Sequence, residues 1–520
     1  MIKSLQQAGC YPHPVTDIEL IETHISWVLL TGEYAYKIKK PLNLGFLDFS
    51  TLALRQHCCD EELRLNRRFA PDIYLEVVRI TGDANSPHVS GDGAAIEYAV
   101  KMRQFPQEAL ASSLLAAGSL TPRHVEFFAA ELATIHRAAA ATNAVSTFGT
   151  PPSMLDAAIQ NFDQLSPLLT GADDVAAMAR LRAWTMREHD ARKSLMDERR
   201  VKGAVREGHG DLHLGNIVLI EGRLVPFDCI EFNPSLRWND VLSEAAFLVM
   251  DLHDRGSPRL AWLFLNAYLE HAGDYDGVGV LRFYLVYRAL VRAKIHALRA
   301  AQPGLTTARR RSLQHAARNY LTLAETFTGR QPAALIITHG LSGSGKSRIA
   351  GELMQQPGAI RIRSDVERKR LHGLAPRDRE TGAVGASIYG DDATQSLYQH
   401  LASCAQGIIA AGYTVIVDAA FLKRWQRELL ARVAAEAGVP FLIMAVAAPE
   451  DVLRQRILQR QSADDDPSDA GIAVLEHQLK TREPLSAGEH GMSMELSSDG
   501  PDPAACSLRV IDALKSRRQY

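Results

Sequence analysis

The sequence lacks several features that define whole classes of protein. No uninterrupted apolar stretch approaches the roughly 18 residues that a membrane-spanning helix needs, and residues 1–7 contain no apolar core of the signal-peptide type. The six cysteines in 520 residues include no Cys-x-x-Cys pair, so they indicate neither a disulfide framework nor a zinc site. We therefore expect a cytoplasmic protein with no membrane partner.

An excess of charge of one sign is also missing. Lys and Arg together number 58, Asp and Glu number 60, and the formal net charge is -2. This balance argues against a nucleic-acid partner, because such partners select strongly basic surfaces. A chain of 520 residues is long for one hydrophobic core, so we expect two or more domains.

The motif with the clearest chemistry begins at residue 340. An apolar run, 335–339, leads into Gly-x-x-x-x-Gly-Lys-Ser, and a helical pattern follows. This is the strand, loop and helix context of a phosphate-binding loop, in which glycines admit phosphate oxygens to backbone amides and the helix N-terminus adds positive potential. We expect ATP or GTP to bind here, with Lys346 at the β- and γ-phosphates and Ser347 on Mg²⁺. The other loop residues expected to bind phosphate are Gly340, Ser342, Gly343, Ser344 and Gly345.

A second group of polar residues lies on either side of two short apolar runs, 217–220 and 224–227, in the first half of the chain. His209-x-Asp211 is followed by Asn216, and Asp228 ends the apolar run 224–227. Phosphoryl transfer needs a carboxylate to take the proton of the acceptor hydroxyl, and an amide with a second carboxylate to hold Mg²⁺. Asp211, Asn216 and Asp228 have these residue types in this order.

The segment from His209 to Asn216, with Asp228, resembles the aminoglycoside phosphotransferase family over about residues 20–325. The resemblance implies a protein-kinase-like fold, with Asp211 as the catalytic base and Asn216 and Asp228 as metal ligands. It also implies a strand lysine that meets the nucleotide phosphates and pairs with a helix glutamate. Two choices stay open here: Lys37 or Lys39 for the lysine, and Glu61 or Glu62 for the glutamate. A Gly-x-Gly-x-x-Gly loop is missing before Lys37, where the sequence has only 31–33, Thr-Gly-Glu.

After the phosphate loop, strand and helix patterns alternate, which predicts a parallel sheet with helices on both faces. The last predicted strand is 507–511. The predicted strands 359–363 and 414–418 place Asp365 and Asp418 at strand carboxyl ends, where ligands bind in such sheets. This half, 333–518, resembles P-loop kinases of the nucleotide and polynucleotide 5′-hydroxyl kinase type. The resemblance implies that Asp365 receives the proton of the acceptor hydroxyl and that Arg456 and Arg460 are lid arginines. Asp418, expected at the metal, would orient a magnesium-bound water.

Residues 419–420, Ala-Ala, bear on the class of P-loop protein. AAA-type ATPases also share this loop, but an oligomeric ATPase motor needs a second acid after Asp418, where this chain has alanine. Group transfer is therefore favoured over motor activity.

The predicted fold class is mixed α/β and α+β. We expect a bilobal protein-kinase-like fold, with an N-lobe over 1–106 and a helical C-lobe over 107–327. A hinge, 328–333, then leads to a P-loop three-layer α/β/α domain with a parallel sheet, 334–520.

The predicted function is a bifunctional kinase that uses ATP (or GTP) and Mg²⁺. Each domain would transfer a γ-phosphoryl group to a hydroxyl of a small-molecule or nucleotide-like acceptor. Three alternatives remain open. The kinase-like domain could sense nucleotide without turnover and regulate the P-loop domain, the protein could phosphorylate polynucleotide 5′ ends, or it could hydrolyse ATP as an interaction protein. The sequence is silent on oligomeric state.

Overall fold

The computed structural model describes residues 1–43, 45, 47–143, 145–330, 332–375, 390–463, 471–497 and 502–517. The chain forms two compact units. The first comprises Met1–Ala157 and Met196–Asp251, and the second comprises Ala158–Leu195 and Leu252–Tyr520. Residues 158–195 and 252–328, which precede the phosphate loop, thus group by contact with the C-terminal residues. The predicted fold boundaries, including the hinge 328–333, stay a prediction, and residue 331 of that hinge lies outside the described residues.

The first unit is built around a six-stranded antiparallel sheet of order β1-β2-β3-β6-β4-β5. The strands are β1 (Glu19–Glu22), β2 (Ser26–Leu30), β3 (Tyr34–Lys39), β4 (Tyr74–Gly82), β5 (Pro87–Val89) and β6 (Glu97–Arg103). On β3, Tyr36 and Ile38 point into one apolar core. Because side chains alternate along a strand, Lys37 and Lys39 project from the other face. Both lysines are nevertheless buried.

Helix α1 (Leu52–Asn66) covers the lysine-bearing face of this sheet. Thr51 caps the helix, since its side chain accepts a hydrogen bond from Leu54 N. Cys59 of α1 packs into the same core as Ala35 and Val100 of the sheet. The helix thereby turns its buried Glu62 toward β3.

Four short strands follow in the first unit. They are β7 (Val205–Glu207), β8 (Ile217–Ile220), β9 (Arg223–Pro226) and β10 (Trp238–Asp240). Strands β8 and β9 form an antiparallel hairpin in which Ile217 pairs with Pro226. Asn216 and Phe227 lie just outside this pairing and are joined by a hydrogen bond, Phe227 N to Asn216 O, at 2.9 Å. The hairpin therefore brings Asn216 and Asp228 to one end.

The helices from the end of the first sheet to the phosphate loop are numbered in chain order. They are α2 (Ala111–Ala116), α3 (Pro122–Ala138), α4 (Pro151–Leu165), α5 (Ala172–Val201), α6 (Pro234–Arg237), α7 (Val241–Asp254), α8 (Pro258–Ala272), α9 (Val278–Ala301) and α10 (Thr307–Thr328). Among the described residues, no helix has both the length and the apolarity needed to cross a membrane.

The second unit contains a five-stranded parallel sheet of order β12-β13-β11-β14-β15. Its strands are β11 (Leu335–His339), β12 (Ala359–Arg363), β13 (Thr414–Asp418), β14 (Phe441–Ala447) and β15 (Ser493–Ser497). Leu263 of α8 packs into the core of this sheet beside Ile336 and Ile416. A helix of the preceding segment is therefore part of the same hydrophobic core.

The remaining helices complete the second unit. They are α11 (Lys346–Leu353), α12 (Ser364–Leu371), α13 (Asp391–Ala410), α14 (Arg424–Ala437), α15 (Glu450–Ala463), α16 (Ile472–Thr481), α17 (Ala487–His490) and α18 (Pro503–Arg517). The strand predicted at 507–511 is wrong, because this segment lies inside α18. Cys506, Val510 and Leu514 recur every four residues and are all buried, which is a helical period that a segment of only five residues is too short to reveal.

The predicted fold class is confirmed. The first unit combines an antiparallel sheet with a helix that carries a glutamate to a strand lysine, and the second combines a parallel sheet with a phosphate-loop motif.

Candidate functional site

The first candidate site is organised by the ammonium group of Lys37. Its Nζ donates to Glu62 Oε1 at 2.7 Å and also contacts Asp228 Oδ1. Burial opposes a charge on Lys37, but Asp228 and Glu62 outweigh it and hold the pKa of Lys37 well above its usual value. The lysine is therefore charged and joins strand, helix and the end of the hairpin.

Lys39 is a structural neighbour of Lys37 and has different partners. Its Nζ donates to Glu62 Oε2 at 2.7 Å and also contacts Glu231. The Lys39 side chain is only 1% exposed, whereas Asp228, the partner of Lys37, is 43% exposed. Only Lys37 therefore reaches the open side of the site, which favours Lys37 over Lys39 as the phosphate-binding lysine.

The two adjacent glutamates of α1 also differ in burial and in their partners. Glu62 is fully buried and both lysines share its carboxylate. Burial opposes its ionisation, but the two lysines outweigh burial and lower its pKa. Glu61 instead forms salt bridges with Arg64 at 2.8 Å and Arg237 at 3.2 Å. The helix partner of the strand lysines is thus Glu62.

Asp211 and Asn216 lie together on the loop before the hairpin. Asn216 Nδ2 donates to the Asp211 backbone oxygen and to its Oδ2, both at 3.0 Å. His213, whose role the sequence did not reveal, lies with its Nε2 3.4 Å from Asp211 Oδ2. The Asp211 side chain is 36% exposed, so its carboxylate is oriented by neighbours and still open to an acceptor.

Asp228 has an unusual backbone conformation. Its φ is +65°, a left-handed value that is uncommon for a residue with a side chain. Two hydrogen bonds support it: Asp228 N donates to Tyr74 Oη at 3.0 Å, and Cys229 N donates to Asn66 Oδ1 at 2.9 Å. Such local strain is characteristic of functional positions, and here it directs the carboxylate toward Lys37.

A network of buried polar groups forms hydrogen bonds with the backbone of the Asp211 loop. His209 Nε2 donates to Phe227 O at 2.8 Å, and its Nδ1 accepts from Asp211 N at 3.3 Å. Burial lowers the pKa of His209, so the ring is neutral and can perform both roles. Glu244 of α7 accepts from Gly210 N and from His136 Nε2. Sequence reasoning missed Glu244 because it lies 34 residues from the loop.

The residues present in this site suit Mg²⁺. Magnesium takes oxygen ligands, commonly one or two carboxylates completed by phosphate oxygens and water. Asp228 and Asn216 provide a carboxylate and an amide oxygen. Among the described residues there is no group of three or more His, Cys, Asp and Glu side chains that could hold a metal by itself, so the nucleotide would have to supply further ligands.

The second candidate site is the loop between β11 and α11. Gly340 and Gly343 have φ values of +148° and +82°. A Cβ on Gly340 would lie 2.3 Å from Val446 O, and one on Gly343 would lie 2.8 Å from Leu453 O. Both positions therefore require glycine. Gly345, with φ +87°, is the N-cap of α11.

The polar residues of this loop converge around its opening. Lys346 Nζ donates to Leu341 O at 2.7 Å and lies 3.4 Å from Ser344 Oγ. Ser347 follows in the first turn of α11 and is partly buried. Ser342 N donates to Gln478 Oε1 of α16 at 2.9 Å, a contact that no sequence motif indicated. The loop thus directs an ammonium, a hydroxyl and a helix N-terminus to one place.

Asp418 lies beside this loop at the end of β13. It is 5% exposed, and Thr338 Oγ1 approaches its Oδ1 at 3.5 Å. Its Oδ2 is buried and has no hydrogen-bond partner among the described residues. A buried carboxylate oxygen left unpaired is costly, and a cation such as Mg²⁺ would satisfy it. The donor set of Asp418 and Ser347 therefore suits Mg²⁺.

Asp365 lies near Asp418 through the pairing of two strands. Arg363, the last residue of β12, pairs with Asp418, and Asp365 follows in the first turn of α12. The Asp365 side chain is partly buried and makes no hydrogen bond or salt bridge within the described ranges. It is thus available to an acceptor hydroxyl.

Of the two predicted lid arginines, the structure describes the side chain of Arg456. Arg456 of α15 approaches the phosphate loop, with Nη1 3.4 Å from Gly343 O. The side chain of Arg460 lies outside the described part of the structure.

Comparisons with known proteins agree with this organisation. Residues 335–485 match the family model described as an AAA domain. Uncharacterized proteins of Mycobacterium tuberculosis and Mycobacterium bovis are 29% identical over 472 residues, which is 90% of this chain and 91% of each relative. The family match falls within the predicted P-loop domain.

Solved structures match separate parts of the chain. An ethanolamine kinase of Plasmodium vivax is 10% identical, with 59% of this chain and 81% of that chain covered and a TM-score of 0.36. A gluconokinase of Sinorhizobium meliloti is 21% identical, with 36% and 99% covered and a TM-score of 0.26. The family match and the loop geometry support nucleotide binding in the second unit.

Proposed function

We propose that this protein is a bifunctional ATP- and Mg²⁺-dependent phosphotransferase. Each unit would move the γ-phosphoryl group of ATP to a hydroxyl of a small-molecule or nucleotide-like acceptor. The observation that carries the bifunctional proposal is the Lys37 ammonium, which contacts both Glu62 and Asp228. A charged lysine, fixed by a helix glutamate beside a partly open carboxylate, is what binding of the nucleotide phosphates and Mg²⁺ for such a transfer requires.

In the first unit, Asp211 would act as the base. As the acceptor oxygen forms a bond to Pγ and the bond from Pγ to the ADP oxygen breaks, the hydroxyl proton passes to the Asp211 carboxylate. Asn216 and His213 hold that carboxylate in place. Lys37 would bind the nucleotide phosphates, since Glu62 fixes its direction.

In the second unit, Asp365 would take the acceptor proton in the same balanced transfer. Lys346 and the backbone amides of the phosphate loop would bind the β- and γ-phosphates, and Arg456 would neutralise charge on the group in transfer. Mg²⁺, held by Asn216 and Asp228 in one site and by Ser347 and Asp418 in the other, would supply neutralisation of phosphate charge. The chain's own residues otherwise contribute positioning and proton acceptance.

One observation favours an alternative in which the first unit senses nucleotide without turnover. The turn between β2 and β3 holds a single glycine, and the Gly32 amide donates to Gln104 Oε1 at 2.9 Å. Because this backbone N–H already donates to a side chain of the protein, the turn has one fewer donor for the nucleotide phosphates.

The test uses γ-labelled ATP and a metabolite extract with the full-length protein. Asp211→Asn and Asp365→Asn each remove one proposed base and preserve side-chain shape, and Asp190→Asn, on the exposed side of α5, is the matched control. We expect each site variant to lose a different labelled product and the control to lose neither. If Asp211→Asn leaves every product unchanged while Asp365→Asn removes them all, the first unit is a sensor. If neither variant changes the products, the assigned bases are wrong.

A further inference from the structure

Three side chains of the second unit form a cluster that the proposed phosphoryl transfer does not use. His400 and Cys404 lie four residues apart on α13, and Glu367 lies on α12. Residues at this spacing share one face of a helix, and Cys404 Sγ lies 3.6 Å from His400 Nε2. The same nitrogen lies 3.0 Å from Glu367 Oε2. The imidazole therefore contacts both a thiol and a carboxylate.

The carboxylate of Glu367 holds the imidazole in place. Its side chain is only 1% exposed, and Arg370 contacts its other oxygen, Oε1. Contacts with Cys404 and Glu367 raise the pKa of His400 to about 10. The His400 ring is therefore protonated at neutral pH and places a positive charge beside the sulfur. A cation in contact with a cysteine sulfur stabilises the thiolate, which is the nucleophilic form.

Cys404 differs from the other cysteines in exposure. The chain has six cysteines, of which Cys404 is partly exposed and the other five are buried. The side chain of His400 is 34% exposed, so the thiol and its cationic neighbour both reach the surface. Reactive cysteines in proteins combine these two properties, a cationic neighbour and partial exposure.

The geometry of the His400 contacts indicates which chemistry this thiol supports. Both contacts are made by Nε2, whereas a proton relay uses the two ring nitrogens separately, one for the nucleophile and one for the carboxylate. The role of His400 beside the sulfur is therefore electrostatic. This arrangement favours reaction of the thiol itself over catalysis through a covalent intermediate, which needs a base to move protons.

We propose that Cys404 is a modification site that reacts with low-molecular-weight disulfides. The thiol first loses its proton to solvent. A bond then forms between Cys404 Sγ and one sulfur of the disulfide, the S–S bond of the disulfide breaks, and its other half leaves as a thiolate. Cys404 is thereby oxidised to a mixed disulfide and the leaving half is reduced, so no further reactant is needed. The site does not depend on the proposed phosphoryl transfer.

The proposal is tested by exchange of the native full-length protein with an aromatic disulfide, dithiobis(nitrobenzoate). Absorbance of the released thiolate measures the rate, and peptide mass mapping locates the adduct. We expect one fast equivalent per chain at Cys404, and reaction of the other cysteines only after unfolding in urea. His400→Gln removes the positive charge and should slow the fast phase roughly tenfold. His315→Gln, at an exposed position of α10, is the matched control and should leave the rate unchanged.

The peptide map of the wild-type protein keeps the test decisive if His400→Gln does not fold. Cys404→Ser should remove the fast phase, and an added thiol should release the label from the wild-type protein. Three results would each overturn the proposal: no fast phase in the native protein; a fast phase located at another cysteine; or an equal rate in folded His400→Gln and in the wild-type protein.

Discussion

Lys37 and Asp228 are 191 residues apart in the chain and are in direct contact in the structure. The contact joins the central strand of an antiparallel sheet to the residue that follows a short hairpin. It gives the first unit a charged group at the open side of the site, and it distinguishes Lys37 from Lys39, whose side chain is more deeply buried.

Replacing each lysine should separate function from stability. In an Asp365→Asn background, Lys37→Met should abolish the remaining phosphoryl transfer with little change in stability, because Lys39 still neutralises Glu62. Lys39→Met should instead lower the free energy of unfolding by about 3 kcal/mol, since Glu231 would be left buried without its partner. Urea unfolding and labelled-product formation measure the two effects. The roles are reversed if Lys39→Met abolishes transfer and leaves stability unchanged.

The matched control for both is Lys40→Met. Lys40 pairs with Glu22, whose side chain is 62% exposed, so the loss of this pair should cost less than about 1 kcal/mol.

Glu244 should make the first unit sensitive to acid. Burial opposes its ionisation, but His136 and the Gly210 amide outweigh burial and lower the pKa of Glu244 from 4.5 to about 2. A lowered folded-state pKa stabilises the fold above the unfolded-state value near 4.5, and the contribution is lost as the pH falls toward 2. It amounts to about 3 kcal/mol at neutral pH.

Unfolding free energies measured between pH 7 and pH 3 test this expectation. The wild-type protein should lose more stability over this range than Glu244→Gln, which is already destabilised at pH 7. Parallel curves for the two proteins would show that Glu244 is not the acid-sensitive group.

Replacing glycine by alanine should impair ATP binding at one position of the second unit and stabilise the fold at another. Gly343→Ala introduces a Cβ 2.8 Å from Leu453 O at a left-handed φ, so it should distort the phosphate loop and weaken ATP binding there at least tenfold. Gly407→Ala in α13 has open space around the new Cβ and should raise stability by about 1 kcal/mol. Nucleotide titration in an Asp211→Asn, Lys37→Met background isolates this site. Unchanged ATP affinity in Gly343→Ala would contradict the proposed role of the loop.

Asp418→Asn should abolish phosphoryl transfer in the second unit without lowering the free energy of unfolding. The buried Oδ2 of Asp418 lacks a hydrogen-bond partner among the described residues, so loss of its charge should leave the free energy of unfolding unchanged or raise it by about 1 kcal/mol. Mg²⁺-dependent transfer that requires Asp365 should be lost. Asp451→Asn, at an exposed position of α15, is the control and should alter neither quantity. Wild-type transfer by Asp418→Asn would remove this residue from the metal site.

Local patterns in the sequence were sufficient for much of the fold and for part of each candidate site. The phosphate loop depends on a few adjacent residues whose backbone conformation the glycines determine, so its strand, loop and helix could be predicted from spacing alone. The alternation of strands and helices that follows the loop could be predicted because each element has its own local pattern of apolar residues. The last helix, α18, was missed because five consecutive residues with mixed polarity fit either period.

Only the tertiary structure separated Lys37 from Lys39 and Glu62 from Glu61. Both lysines lie on the same face of β3, and the two glutamates are adjacent on α1, so the sequence presents each pair as equivalent. Their difference arises from distant residues: Asp228 and Glu231 approach the two lysines separately, while Arg237 engages Glu61. The partner of a buried charge is determined by which distant segments pack against it, and chain spacing carries little information about that packing.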